Sequence, residues 1–134
     1  MLRDFFLGFV KIHILHHAAH EPLYGAAIIV ELRRHGYEMS PGTLYPLLHS
    51  LEATGYLVHT DQVVGGKVRK YYTLTDAGGH ALEEARHKIR VLVDEVLEGH
   101  GPTHLPEPPD DGTEEPGLRR HGMFPRTARP RNTL

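Results

Sequence analysis

The chain has 134 residues, 40% of them hydrophobic, with 15 Lys and Arg against 17 Asp and Glu and a formal net charge of −2 when histidine is neutral. This length suits one domain plus an extension, at about 100–200 residues per domain, and the near-neutral balance is not that of a strongly basic, sequence-indifferent nucleic-acid binder. The absence of cysteine excludes disulfide staples, thiolate-held zinc or iron–sulfur sites and thiol redox sensing. No long apolar span or signal-peptide architecture is visible, because Met1 to Ala19 is broken by Lys11 and polar neighbours, so a soluble, cytoplasmic protein is expected.

The first helix is expected from about Arg3 to Ala19, with Phe5, Phe6, Phe9, Val10, Ile14 and Leu15 making it too apolar for a solvent face. It carries four of the twelve histidines, His13, His16, His17 and His20, within eight residues. His13/His17 and His16/His20 are each spaced i, i+4, one turn apart on a helix. Imidazoles at that spacing suit zinc, nickel, copper or cadmium, and Glu21 stands beside them to complete a site. The same spacing equally serves histidines that only hydrogen-bond, cover aromatic rings or make a pH-dependent dimer contact, and no His-Glu-x-x-His motif accompanies them.

A second helix is expected from Tyr24 to His35, with Ile28, Ile29 and Leu32 inward and Gly36 in the position of a left-handed C-cap. After a four-residue turn, Gly36-Tyr37-Glu38-Met39, a third helix begins at Ser40, whose side-chain oxygen is expected to cap the first free amides, with Pro41 preset for the first turn. Leu44, Leu47, Leu48 and Leu51 recur at helical spacing on one side. Pro41, Thr43, Tyr45, Pro46 and His49 are left outward or oblique, and Pro46 is expected to kink the axis. Two helices about a short turn form a helix-turn-helix, whose second helix is the one that enters a major groove.

Tyr56-Leu57-Val58 and Arg69 to Leu74 read as strands around a Gly65-Gly66 turn, a hairpin placed as a wing. Lys67, Arg69 and Lys70 gather at its tip and return arm, where cations meet phosphates and supply salt-dependent affinity. A last helix, about Thr75 to Glu98, is capped by Thr75 or Asp76 and carries Leu82, Ala85, Ile89, Leu92, Val93 and Val96. That stripe resembles a short coiled-coil seam, or else it packs on the chain's own core. Acidic residues such as Glu83, Glu84, Asp94 and Glu95 are expected to keep negative charge on this far helix. From His100 onward the chain holds seven of its ten prolines and four glycines, a composition that cannot bury enough surface to fold. Its charges are segregated: Glu107, Asp110, Asp111, Glu114 and Glu115 precede Arg119, Arg120, Arg126, Arg129 and Arg131. A basic arm of this kind can add phosphate contacts, with the acidic stretch competing, or can be a solvated tail.

Pro22-Leu23-Tyr24-Gly25, Ser40-Pro41-Gly42-Thr43-Leu44-Tyr45-Pro46, Leu51-Glu52 with Gly55-Tyr56-Leu57, and Arg69-Lys70-Tyr71-Tyr72 with Leu74-Thr75 and Gly78 stand in order. Together, over about residues 5–98, they resemble the PadR family of transcriptional regulators. The resemblance implies a mainly α fold with a small β-hairpin: a winged helix-turn-helix over residues 1–75 with a dimerisation helix over 76–99, followed by the 100–134 tail. It also implies a homodimeric repressor on an inverted-repeat operator of double-stranded DNA, released by a small-molecule or stress signal; the residues themselves point to no certain cofactor, with a divalent metal ion at the first-helix histidines as the candidate effector. Carried over by position, the DNA-facing residues are Ser40, Pro41, Thr43, Tyr45, Pro46 and His49 on the helix and Lys67, Arg69 and Lys70 on the wing. Dimerisation falls to Phe5, Phe6 and Phe9 with the stripe on the last helix. The chain departs from the family at Ser50, where a charged residue is common, and in its tail. A metal sensor using the first-helix histidines, or an interaction module without operator binding, is the alternative. Neither a phosphate-cradling glycine loop, a nucleophile elbow nor a recognisable pair of carboxylates supports an enzyme.

Overall fold

The computed structural model describes residues 2–102 and 104–110. The chain divides into two compact units, Met1–Gly101 and Pro102–Leu134, and among the described residues the helices and strands all lie in the first. Their order is α1 (Leu2–His20), α2 (Gly25–Arg34), α3 (Pro41–Ala53), β1 (Leu57–Val64), β2 (Lys67–Leu74) and α4 (Asp76–Val96). Described residues beyond Gly101 form neither helix nor strand, and the Asp111 to Glu115 acids and the tail arginines from Arg119 lie outside the described residues.

The core is where the helical faces meet the root of the hairpin. Val10, Ile14, Leu15 and Ala18 of α1 join Ile28, Ile29 and Leu32 of α2, Leu44, Leu48 and Leu51 of α3, and Leu23, Met39, Leu57, Tyr72 and Leu82. Helix α1 packs on α2, α4 and β2, while α3 packs on α2 and β1, so the helix-turn-helix is clamped between α1 and the wing. At the end of α2, Gly36 takes φ 84°, its N–H reaches the Arg33 carbonyl at 3.0 Å, and the Tyr37 N–H reaches Leu32 at 3.0 Å. This paired closure satisfies carbonyls that would otherwise be orphaned and turns the chain towards α3.

The start of α3 differs from the sequence expectation. The Ser40 hydroxyl caps no amide; it donates to the Thr43 hydroxyl at 3.3 Å, because Thr43 offers an acceptor on the same side of the first turn. The Ser40 carbonyl instead accepts the N–H groups of Thr43 and Leu44, at 3.1 and 2.9 Å. Helix α3 also runs through Pro46 without a break.

The hairpin is longer than its aromatic residues suggest. It pairs antiparallel from Leu57 opposite Leu74 out to Val64 opposite Lys67, and Gly65 and Gly66 turn it with φ 58° and 79°. Leu23 adds a bridge to the free edge of β2, exchanging backbone hydrogen bonds with Tyr72 at 2.9 and 2.7 Å. Thr75 caps α4 as expected, its hydroxyl oxygen accepting the Gly78 N–H at 3.0 Å. A β-carbon on Gly78 would stand 2.2 Å from the Tyr56 carbonyl oxygen, so only glycine lets α4 start this close to the wing root.

Candidate nucleic-acid interface

Helix α3 buries Leu44, Leu48 and Leu51 and leaves Pro41, Tyr45, Pro46 and His49 exposed as one continuous outer face; Ser40 is also exposed, and Thr43 is half-buried. Tyr45 is 41% exposed and anchored. Its ring lies over Gly25 at the start of α2, where an added β-carbon would come within 2.8 Å of the phenolic oxygen. The tight glycine contact steers the hydroxyl of a large side chain while leaving part of the ring to solvent.

The far end of α3 is tied to the wing. Glu52 Oε2 accepts the His59 backbone N–H at 2.9 Å, and its two carboxylate oxygens lie 2.7 and 2.6 Å from His59 Nδ1. The His59 ring tilts against buried Tyr72, with centroids 5.7 Å apart. Glu52 therefore locks helix α3 and strand β1 into one body. Sequence reasoning left this role unassigned: Glu52 stands in a recognisable string, but its partner is seven residues on in another element.

The three wing cations do not share a face. Strand alternation and the register put Lys67 and Arg69 on the face of Tyr71, and Lys70 on the face of Tyr72, opposite Asp61. Lys67 and Lys70 are exposed. The Arg69 guanidinium lies 4.1 Å from the centroid of the Tyr24 ring and donates to the Tyr71 hydroxyl at 3.3 Å. That places it at the junction of α2 and the wing, with only Lys67 at the tip.

A family model for "Transcriptional regulator PadR-like family" matches residues 14–84, the span that holds the helix-turn-helix, the wing and the start of α4. The chain belongs to the PadR-like family. It is 50% identical over 102 residues to transcriptional regulator Rv3488 of Mycobacterium tuberculosis, a match that covers 76% of this chain and 95% of that relative. Among solved structures it resembles a PadR family transcriptional regulator from Eggerthella lenta, with TM-score 0.64 and 36% identity over 73% of this chain and 87% of that one. It also resembles a PadR-like transcriptional regulator from Bacillus cereus, with TM-score 0.59 and 31% identity over 69% and 95% of the two chains. The protein is thus a transcriptional regulator with a winged-helix fold and not an enzyme. No helix among the described residues is long and apolar enough to cross a membrane.

Two groups of side chains on this PadR-like regulator lie apart from the α3 face. The first is apolar and exposed: Phe5, Phe6 and Phe9 on α1, and Ile89, Leu92, Val93 and Val96 on α4. Of the other residues expected in the α4 seam, Ala85 is half-buried, while Leu82 turns into the chain's own core. Leu82 sits where α4 still packs on α1 and β2, so the outward stripe begins beyond it.

The second group is the histidines, which α1 divides between two settings. His16 and His20 meet each other edge-on, with ring centroids 4.8 Å apart. His13 and His17 turn towards α2 and meet His35, which the first-helix pattern leaves out, and the ligating atoms of these three lie within 4.8 Å of one another. The carboxylate beside them is Glu31 rather than Glu21: Glu31 Oε1 is 3.1 Å from His35 Nε2 and 3.8 Å from His17 Nε2. Glu21 instead lines a cleft with His20, His80 and Glu83. Burial first, then the neighbouring His35, His17 and His16, push the His13 pKa below its ordinary value against the pull of Glu31. For Glu31, desolvation raises the pKa, but Arg34, His35 and His17 together bring it down, so the carboxylate is held ionised.

Proposed function

We propose that the regulator acts as a homodimeric repressor in the cytoplasm, placing α3 in the major groove of an inverted-repeat operator and releasing it when an effector binds. The observation that carries this reading is the α3 outer face. Pro41, Tyr45, Pro46 and His49 are presented together, the helix is locked to the wing through Glu52 and His59, and cations stand on that wing. Ser40 and Thr43 sit at the start of the same helix for backbone or base contacts, Lys67 and Lys70 extend along the wing, and Arg69 contacts phosphate from the α2 junction.

The homodimer is supported by the apolar faces of α1 and α4. Fully burying a Phe, Leu or Val side chain is worth roughly 1.5–3 kcal/mol, and the seven exposed residues on each of two copies are already partly covered. Together they still amount to on the order of 10–20 kcal/mol, against an association cost of roughly 4–15 kcal/mol. A twofold axis through these helices sets two α3 helices about one DNA turn apart, which suits a near-palindromic operator.

The direct test is fluorescence anisotropy of the full chain with the DNA upstream of its own gene, against random duplex as competitor. Specific binding by a dimer supports the reading. A protein that binds both duplexes alike, or neither, is instead an interaction module.

A further inference from the structure

We propose that His13, His17, His35 and Glu31 form a binding site for a zinc-class divalent cation, and that filling it is the signal that changes operator affinity. The second half rests on the regulator reading above; the first stands without it.

The donor set is drawn from two helices and the turn that follows. Helix α1 supplies His13 and His17 from successive turns, α2 supplies Glu31 from its last turn, and His35 is the residue that ends α2. Tetrahedral zinc holds imidazole nitrogens at about 2.0–2.1 Å, which sets them roughly 3.4 Å apart. The three histidines, with ligating atoms within 4.8 Å, need to close by about an ångström, a movement their side-chain torsions supply. Glu31 Oε1 already faces His35 at 3.1 Å and His17 at 3.8 Å, and a cation entering there takes the place of the hydrogen bond between His35 and the carboxylate. Arg34 Nη1 holds the other oxygen, Oε2, at 2.9 Å, which keeps Oε1 turned to the histidines.

Three imidazoles and one carboxylate suit zinc, cobalt or nickel, whereas magnesium and calcium want an oxygen cage. The other pair, His16 and His20, has no third donor in reach among the described residues. The helical spacing of the histidines therefore does not decide which of them bind; the fold selects two and recruits His35. A side chain such as His35 at 46% exposure leaves the site open to solvent.

The position of this site gives it leverage. A cation there staples α1 to the end of α2, one residue before the Gly36 turn that sets how α3 leaves. The His13 ring also meets Tyr37 inside that turn, with centroids 5.5 Å apart, and Tyr37 in turn meets Phe6 on the exposed α1 face at 6.3 Å. Loading the site acts at once on the turn of the helix-turn-helix and on the face expected to pair with a second copy. An ion with different affinity for two arrangements shifts their populations by that difference.

The test is titration of the metal-free full chain with zinc by calorimetry, with cobalt absorption as a second readout and operator anisotropy as a third. We expect one zinc per chain, a tetrahedral cobalt spectrum, no competition by magnesium, and an operator affinity that changes at least fivefold on loading. His35→Ala and Glu31→Gln weaken zinc at least tenfold and alter the cobalt spectrum, while the His16→Ala, His20→Ala double variant binds as the parent does. The cobalt spectrum of the parent chain keeps the site testable should a variant misfold. Failure of the parent to bind zinc, or equal loss in the His16/His20 variant, overturns the site. Zinc binding with unchanged operator affinity overturns the signal, and zinc binding by a chain that binds no operator in either state overturns the regulator reading while leaving the site in place.

Discussion

Single side chains carry the discrimination expected of α3. Tyr45 combines partial exposure with a fixed seat over Gly25, so Tyr45→Ala removes a positioned contact without opening the core. Operator affinity is expected to fall about tenfold or more, with random-duplex affinity nearly unchanged, since one good base contact is worth roughly 1–3 kcal/mol; competition anisotropy reads both. Lys67→Ala at the hairpin tip is expected to weaken all DNA alike and to flatten the salt slope by about one unit. Tyr72 makes a different point. Its ring is fully buried and its hydroxyl has no hydrogen-bond partner among the described residues, while burial, then the negative charge of Glu52, raises its pKa. The unfolded phenol ionises from about pH 10 while the folded one resists, so this group's contribution is present below that pH and fades as pH rises above it. Tyr72→Phe is expected to gain about 1 kcal/mol at neutral pH, and its lead over the parent in urea unfolding should widen above pH 10.

Elements matter through their junctions. Glu52 on α3 and His59 on β1 hold the reading helix and the wing as one rigid unit, and both groups are only partly exposed. Glu52→Ala is expected to cost about 1–3 kcal/mol, because it removes the acceptor of a backbone N–H as well as the ring contact, and to weaken operator binding though no DNA-facing residue changes. If urea unfolding shows no loss, the clamp is not structural and this account of wing placement fails. At the other junction, Gly78 admits α4 against the Tyr56 carbonyl. Much of this level was readable in the chain: the Gly36 stop, the Thr75 cap and the Gly65-Gly66 turn are local devices in which a residue type and its neighbours suffice. The full length of β1 was not readable, because Thr60 to Val64 lacks aromatic residues and is a strand only through its pairing with β2. The Ser40 hydroxyl was misjudged because a local rule could not see that Thr43 would take its proton.

At the scale of the whole molecule, the exposed apolar side chains of α1 and α4 are where the proposed homodimer is tested. Replacing Leu92 and Val96 together by Asp, both well exposed in one chain, is expected to leave the fold intact while converting the proposed dimer to a monomer and weakening operator binding at least tenfold. Light scattering after gel filtration checks the first effect and anisotropy the second. A double variant that stays dimeric would move the interface off α4.

The family, the fold class and the order of the elements followed from the sequence alone, because caps, turns and hydrophobic periods are written over a few neighbouring residues. So did the outer face of α3, since helical spacing separates Leu44, Leu48 and Leu51 from Pro41, Tyr45 and His49. Only the tertiary structure decided which groups far apart in sequence meet. It brought His35 and Glu31 to His13 and His17, set Glu52 on His59, placed Arg69 over Tyr24 and turned Leu82 inward. Each of these depends on how two elements pack, and the distance across a packed interface is not encoded in the period of either element.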